Sequence, residues 1–342
     1  MKFPREKCKF IGTLLLSFLS FVVLHLTVFR PYLLDHKSVN FIPGIPFNLG
    51  GLSASTPISK KILVATTWRS GSTFLGDIIK SIPGVFYSFE PLLYLDHHLG
   101  SKTELIQSLF HCRFSHDYLQ STNGLTGLPN DMQRNKRVWD ECSYYNRTLC
   151  HDPEFVGNLC SNFPIHLIKT VRLRVEELSA LIDNDPLITK EWKIIHLIRD
   201  PRGIMASRAG LGWCQVNPAC NNVSRLCAEL EDDVELTEGL LKRFPNRHYL
   251  LKFEDLTSNV EMETDKLFRF LEMPVTVSTK AFLDSHTKSN DQKMKEDFLD
   301  FEHSTIRKSD AVANEWKTKM TKKDIDNMTE ICEPVLKMLK LL

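Results

Sequence analysis

Ile62-Leu63-Val64-Ala65-Thr66-Thr67-Trp68-Arg69-Ser70-Gly71-Ser72-Thr73-Phe74 is the stretch on which the fold turns. Four apolar residues in a row, Ile62 to Ala65, read as a buried parallel strand. Gly71 then permits close backbone approach, and Phe74, Leu75, Ile78, Ile79 and Ile82 fall on one face of a helix that Pro83-Gly84 stops. Where a strand passes through a turn into a helix, backbone N–H groups point outward unpaired and the helix dipole favours an anion. A second corner of this form lies far along the chain. Ile194 to Ile198 is its apolar run, Arg199-Asp200-Pro201-Arg202 its turn, and its helix carries Ser207-Arg208. Asp200 before Pro201 has the form of an N-cap with proline at the first helical position. Two such corners suit a ligand with anionic groups at both ends.

Val85 to Phe89, Ile165 to Val171 and His248 to Phe253 are further strand candidates. Leu230, Val234 and Leu241 mark a helix, acidic early and closed by Lys242-Arg243, as the dipole prefers. Ser258-Asn259-Val260-Glu261 fits a capping box opening a helix through Leu271. Strands alternating with helices predict one α/β domain over residues 60–342, a P-loop-like parallel sheet with helices on both faces. Residues 96–163 break that rhythm and hold four cysteines. They are expected to form an insertion shaping an acceptor cleft.

The chain has 342 residues, 42% hydrophobic and 25% charged, which is ordinary globular composition with ample core. Its net charge of +1 gives no argument for nucleic acid, so any anion site is local. Phe10 to Phe29 carries no formal charge over 20 residues and follows Lys2, Arg5, Lys7 and Lys9. Such a run is long enough to span a bilayer and longer than the apolar region of a signal peptide. The positive flank predicts a cytosolic tail (1–9), a signal-anchor (10–29) and a lumenal remainder. Residues 31–59 hold four prolines and three glycines without helical period, so 30–59 reads as a stem. Cys8 falls in the tail. The other eight cysteines form an even set, as disulfides in an oxidising compartment require, with 105 pairings open. No paired C-x-x-C spacing favours zinc, and no metal is expected. Asn146, Asn222 and Asn327 head glycosylation acceptor tripeptides.

The first corner departs from a P-loop ATPase. There a lysine stands near the end of the loop; here Arg69 comes first, and no aspartate after a hydrophobic strand offers itself to magnesium. The chain resembles the Golgi carbohydrate sulfotransferases, most closely the group that 6-O-sulfates galactose, N-acetylglucosamine or N-acetylgalactosamine. The resemblance rests on the anchor, the Trp68-to-Phe74 loop, Phe89-Glu90-Pro91, Ile168-Lys169-Thr170-Val171-Arg172, Leu197 to Arg208, Phe253-Glu254-Asp255-Leu256 and the tail around Trp316. It implies a sulfotransferase fold and 3′-phosphoadenosine 5′-phosphosulfate as co-substrate. Thr66, Thr67, Trp68, Arg69, Ser70, Gly71, Ser72 and Thr73 would hold the 5′-phosphosulfate, and Arg199 and Ser207 the 3′-phosphate. It further implies a Golgi type II membrane protein acting on a glycan of a glycosaminoglycan or glycoprotein, with homo-oligomerisation left open.

Sulfuryl transfer parallels phosphoryl transfer, a planar group passing in line between attacking and leaving oxygens. Arg69 is expected to stabilise charge on the bridging and phosphate oxygens. A sugar hydroxyl needs a base as it attacks. Glu90, at the end of a second strand expected beside the first, is the candidate, with Asp96, His97 and His98 as runners-up. Lys169, Arg172 and Arg174 either meet an acidic glycan or make salt bridges. Arg307-Lys308-Ser309 resembles a loop that closes over the nucleotide. Two rivals stand beside the enzyme reading: a lumenal ATP-dependent kinase and a glycoprotein that binds glycan without turnover.

Overall fold

The computed structural model describes residues 60–95, 100–122, 134–185, 187–287 and 309–342. The anchor at 10–29, the stem, Asp96, His97, His98, Arg307 and Lys308 lie outside the described residues. Among those described, no helix is long and apolar enough to cross a membrane.

Five strands, β1 (Lys60–Thr66), β2 (Val85–Phe89), β3 (Ile165–Thr170), β4 (Trp192–Ile198) and β5 (His248–Lys252), form one sheet in the order β2-β3-β1-β4-β5. All four pairings are parallel. Every residue of β4 is buried, as expected for an interior strand covered on both faces. Side chains alternate between the faces. Leu63, Ile168 and Ile194 join one core with the helices Lys102–Phe110 and Val175–Asn184. Ile62, Val64, Leu167, Ile195 and Leu197 join another with the helices Ser72–Lys80 and Val260–Phe270. A third core lies between the long helix Val223–Arg243 and the C-terminal helices Lys322–Ile331 and Glu333–Met338.

Two local expectations are corrected. β2 does not lie beside β1, because β3 runs between them and pairs with both. Apolar runs identify strands but carry no information about their lateral order. Ser258 does not cap the helix that follows it; Asn259 Oδ1 accepts the N–H of Met262 instead, and Ser258 Oγ turns back to the carbonyl of Asp255. A short helix, Phe253–Ser258, begins directly after β5, which displaces the cap by one residue.

The stretch between β2 and β3 is helical where described, with Lys102–Phe110, His116–Ser121, Lys136–Tyr145 and Pro153–Ser161. It carries the bonds Cys112–Cys160 and Cys142–Cys150. Cys214–Cys220 closes a short loop, and Cys227–Cys332 joins the long helix to the C-terminal region across 105 residues. All eight cysteines after Cys8 are thus paired.

His196, inside β4, hydrogen-bonds through Nδ1 to Thr237 Oγ1 at 2.8 Å. Burial drives its pKa from 6.5 down to about 3, helped by Arg174. The unfolded chain takes up this proton near 6.5 and the folded chain only near about 3, so acidification through that window favours unfolding. His248, held down to about 4 by burial, acts in the same direction. Thermal midpoints are therefore expected to fall as pH drops below 6.5. His196→Gln offers Thr237 a carboxamide in place of the imidazole, does not titrate, and should flatten the dependence by about one proton. An unchanged pH slope in that variant would contradict a neutral buried imidazole.

Candidate functional site

The first corner begins where β1 ends. Thr66 Oγ1 bonds to the carbonyl of Leu197, fixing the strand end against β4. The chain then turns through two left-handed residues, Arg69 (φ +73°) and Gly71 (φ +88°), before the helix starts at Ser72. Glycine is required at 71 twice over. A side chain strains at that φ, and a Cβ would sit 2.2 Å from the ring of Phe253. No side chain caps the helix, so Ser72 and Thr73 bring backbone amides to its open end. Ser70 is fully buried, and its Oγ has no hydrogen-bond partner among the described residues.

The second corner follows β4. Asp200 Oδ1 caps the helix Pro201–Ala209 through the N–H of Arg202, as its position before a proline implied. Arg202 grips the same carboxylate at 2.7 Å and lies over the Trp316 ring, so it serves the scaffold. Arg199 is buried, stacks on Phe253 and donates through Nη1 to the carbonyl of Arg69 at 3.0 Å. Its Nε has no partner among the described residues. Burial lowers its pKa to about 10, with nearby Glu254 opposing. Glu254 Oε1 accepts the N–H of Asp200, and burial holds this carboxyl above the ordinary range.

The two corners form one site. Arg69 Nε donates to Ser207 Oγ at 3.0 Å. Arg208, only 2% exposed, reaches Thr67 Oγ1 and the carbonyl of Trp68 on one side, and the carbonyl of Cys220 on the other. Burial lowers its pKa to about 10, so it stays cationic at neutral pH. Thr66 to Thr73, Arg199 and Ser207 are therefore contiguous. Arg208 and Phe253 were named from sequence, as parts of the second corner and of Phe253-Glu254-Asp255-Leu256, but were given no role in the site. The role of the Phe253 ring depends on the space beside Gly71, which only the fold reveals.

Glu90 has a different setting from the one expected. It is left-handed (φ +46°) and buried at the end of β2. Oε1 accepts from Lys169 Nζ at 2.8 Å; Oε2 accepts from Arg172 Nη1 at 2.8 Å and from the N–H of Val171 at 3.2 Å. The connection to the first corner is indirect, because the Arg172 guanidinium lies over the Trp68 ring. For Lys169, Arg172 and Arg174 the salt-bridge reading holds: the first two pair with Glu90, and Arg174 Nε binds both oxygens of Asp233.

The Sulfotransferase domain family model matches residues 59–340. Carbohydrate sulfotransferase 1 of Mus musculus is 25% identical, covering 96% of this chain and 92% of its own. Carbohydrate sulfotransferase 5 of Homo sapiens is 24% identical over 81% of this chain and 76% of its own. Among solved structures, the sulfotransferase domain from the Synechococcus PCC 7002 olefin synthase aligns with a TM-score of 0.46 and 16% identity, covering 81% of this chain and 96% of that one.

Gly71→Ala is expected to cost about 1–3 kcal/mol of stability, because the new methyl meets the Phe253 ring in a backbone conformation it disfavours. Urea unfolding measures it. A loss below about 0.5 kcal/mol, the scale of ordinary surface substitutions, would mean the loop has room that this geometry denies.

Proposed function

The chain belongs to the sulfotransferase domain family and is a sulfotransferase; from that premise we propose that it moves the sulfuryl group of 3′-phosphoadenosine 5′-phosphosulfate to the 6-hydroxyl of a galactose, N-acetylglucosamine or N-acetylgalactosamine in a glycan. The observation that carries the donor assignment is the joined pair of corners. Buried donors of the two corners lack partners among the described residues: Ser70 Oγ, Trp68 Nε1 and Arg199 Nε. Buried polar groups are normally satisfied, and a ligand bearing phosphate and sulfate oxygens would satisfy these. The relatives' names support a carbohydrate acceptor. The 6-position, the Golgi lumen and the type II anchor at 10–29 rest on the sequence resemblance.

In this reading the amides of Gly71 to Thr73 and Ser70 Oγ hold the phosphosulfate. Arg69 swings from Ser207 to spread charge from the leaving phosphate oxygen. Arg199 and the released Ser207 hydroxyl hold the 3′-phosphate. Such donors are worth more in a dry, preorganised site than in water. Glu90 remains the proposed base under a condition its contacts impose. Both oxygens are engaged, so the acceptor hydroxyl must displace Arg172, the more exposed of its two cationic partners. The kinase rival is disfavoured by the Arg-first loop, and binding without turnover by the joint presence of Arg69, Glu90, Arg199 and Ser207.

Full-length protein incubated with labelled sulfate donor and a panel of keratan, chondroitin and N-acetylglucosamine-terminated acceptors tests this. Transfer to one acceptor class is the expected result; uptake of magnesium-ATP with no recognition of the sulfate donor would overturn it. Arg69→Ala should lower kcat by about 10²–10³-fold. Arg199→Ala should mainly weaken donor binding, by about 10–100-fold for a lost charge-assisted contact. Glu90→Gln should cost about 10²–10⁴-fold in kcat as a base. Activity unchanged in that variant would move the role to His97 or His98.

A further inference from the structure

The segment after the second-corner helix is not used by the donor reading. It runs through the short helix Gly212–Gln215 and is closed by Cys214–Cys220. Leu211, Cys214 and Cys220 pack as a small buried cluster against Trp68 of the first corner. Arg208 reinforces the junction by bonding the carbonyls of both Cys220 and Trp68. The segment is thus fixed to the donor corner by a covalent staple, an apolar contact and a buried guanidinium.

Its outer surface has a distinct chemistry. Trp213 is 46% exposed while its ring stands edge-on to Trp68, centroids 5.9 Å apart at 88°. The same disulfide-closed segment carries an open pocket of about 410 Å³ lined by Gln215, Val216, Pro218, Asn221, Asn222 and Val223, starting two residues after Trp213 in sequence. From Ala209 to Ser224 no side chain carries a formal charge, although a quarter of the whole chain is charged. Gln215 donates its amide to the Ala209 carbonyl and Asn222 Oδ1 caps the next helix, while Asn221 presents an exposed carboxamide. A flat aromatic face and carboxamides, each with a donor and an acceptor end, on one segment match a ligand with C–H faces and hydroxyls. A carboxylate or sulfate seated here would lose water and gain no counter-charge from residues 209–224.

We infer that the Trp213 face and the Gln215–Asn221 pocket form a binding site for an uncharged sugar residue of the acceptor, galactose or N-acetylhexosamine, next to the donor corner. This rests on the proposed sulfuryl transfer for its purpose, but it concerns binding alone. Glucuronate-containing chains are the class it disfavours. Asn222 heads an acceptor tripeptide for N-glycosylation, so a glycan of the chain's own occupying this pocket is the competing outcome.

The test uses full-length protein without donor. Binding of an uncharged tetrasaccharide of alternating galactose and N-acetylglucosamine is followed by saturation-transfer NMR, beside a glucuronate-containing tetrasaccharide. Trp213→Ala should weaken the uncharged ligand about tenfold, the scale of an aromatic stacking contact, and Trp213→Phe should recover most of it. Asn221→Ala, a surface change that leaves the staple and Trp68 contact intact, should weaken it severalfold. Adenosine 3′,5′-bisphosphate affinity, measured by calorimetry, should move less than twofold in Asn221→Ala. Binding indifferent to all three variants, tighter binding of the glucuronate ligand, or full glycosylation of Asn222 on peptide mapping would overturn the inference. Sugar binding that depends on Trp213 in a protein that transfers sulfate to nothing would sustain it while removing the transfer reading.

Discussion

Three guanidinium groups meet the first corner, two of them buried, and the rest of the site is arranged around the cost of holding them there. Burial lowers the pKa of both Arg199 and Arg208, and the nearby Arg69 charge adds a smaller push in the same direction. Arg208 contacts carbonyls and a hydroxyl, and Arg199 makes its contacts with carbonyls and the Phe253 ring. Glu254 lies near Arg199 but gives one oxygen to the N–H of Asp200. Burying cations on neutral partners is costly unless the positive field has a use. A ligand with separated anionic groups gives it one.

The strands and both corners were legible because their signals are local. Apolar runs bounded by turn residues located all five strands to within two residues, and the Asp200-Pro201 cap was readable from its order alone. What failed to be legible depends on lateral placement. β3 separates β2 from β1, so Glu90 does not face the first corner from a neighbouring strand. Its carboxylate meets Lys169 and Arg172 because Phe89 and Lys169 share a register position. The cap at Asn259 was missed because Phe253–Ser258 is a helix of its own. The disulfide pairings, left open by arithmetic, required the fold.

Glu90 shows how the sheet edge and the donor corner communicate. Its left-handed backbone turns the chain at the end of β2, and its buried carboxylate orients Lys169 and Arg172 together. Arg172 and Arg208 both lie within 6 Å of the Trp68 ring, at 5.7 and 5.8 Å. Trp68 therefore lies close to two cations and abuts Trp213. Through this ring, the strand end that carries the proposed base, the donor loop and the uncharged surface beyond Cys214 share one set of contacts. A shift at any one of them changes the others' packing.

Burial of Arg199 and Arg208 beside Arg69 works against the folded state whenever the anion is not bound, so the scaffold must hold the corners by other means. Two of the four staples lie where that demand is greatest. Cys214–Cys220 fixes the loop whose carbonyl receives Arg208. Cys227–Cys332 closes 105 residues between the long helix and the C-terminal helices, and a loop of that length corresponds to about 4.7 kcal/mol in the chain-entropy account. The C-terminal region so anchored supplies Thr329 Oγ1 and the Leu341 carbonyl to Arg202, which in turn grips the Asp200 cap of the second corner. Charge preorganisation costs stability locally, and covalent closure of the segments that Arg208 and Arg202 grip offsets it. A field assembled before the ligand arrives needs no reorganisation at the moment of transfer.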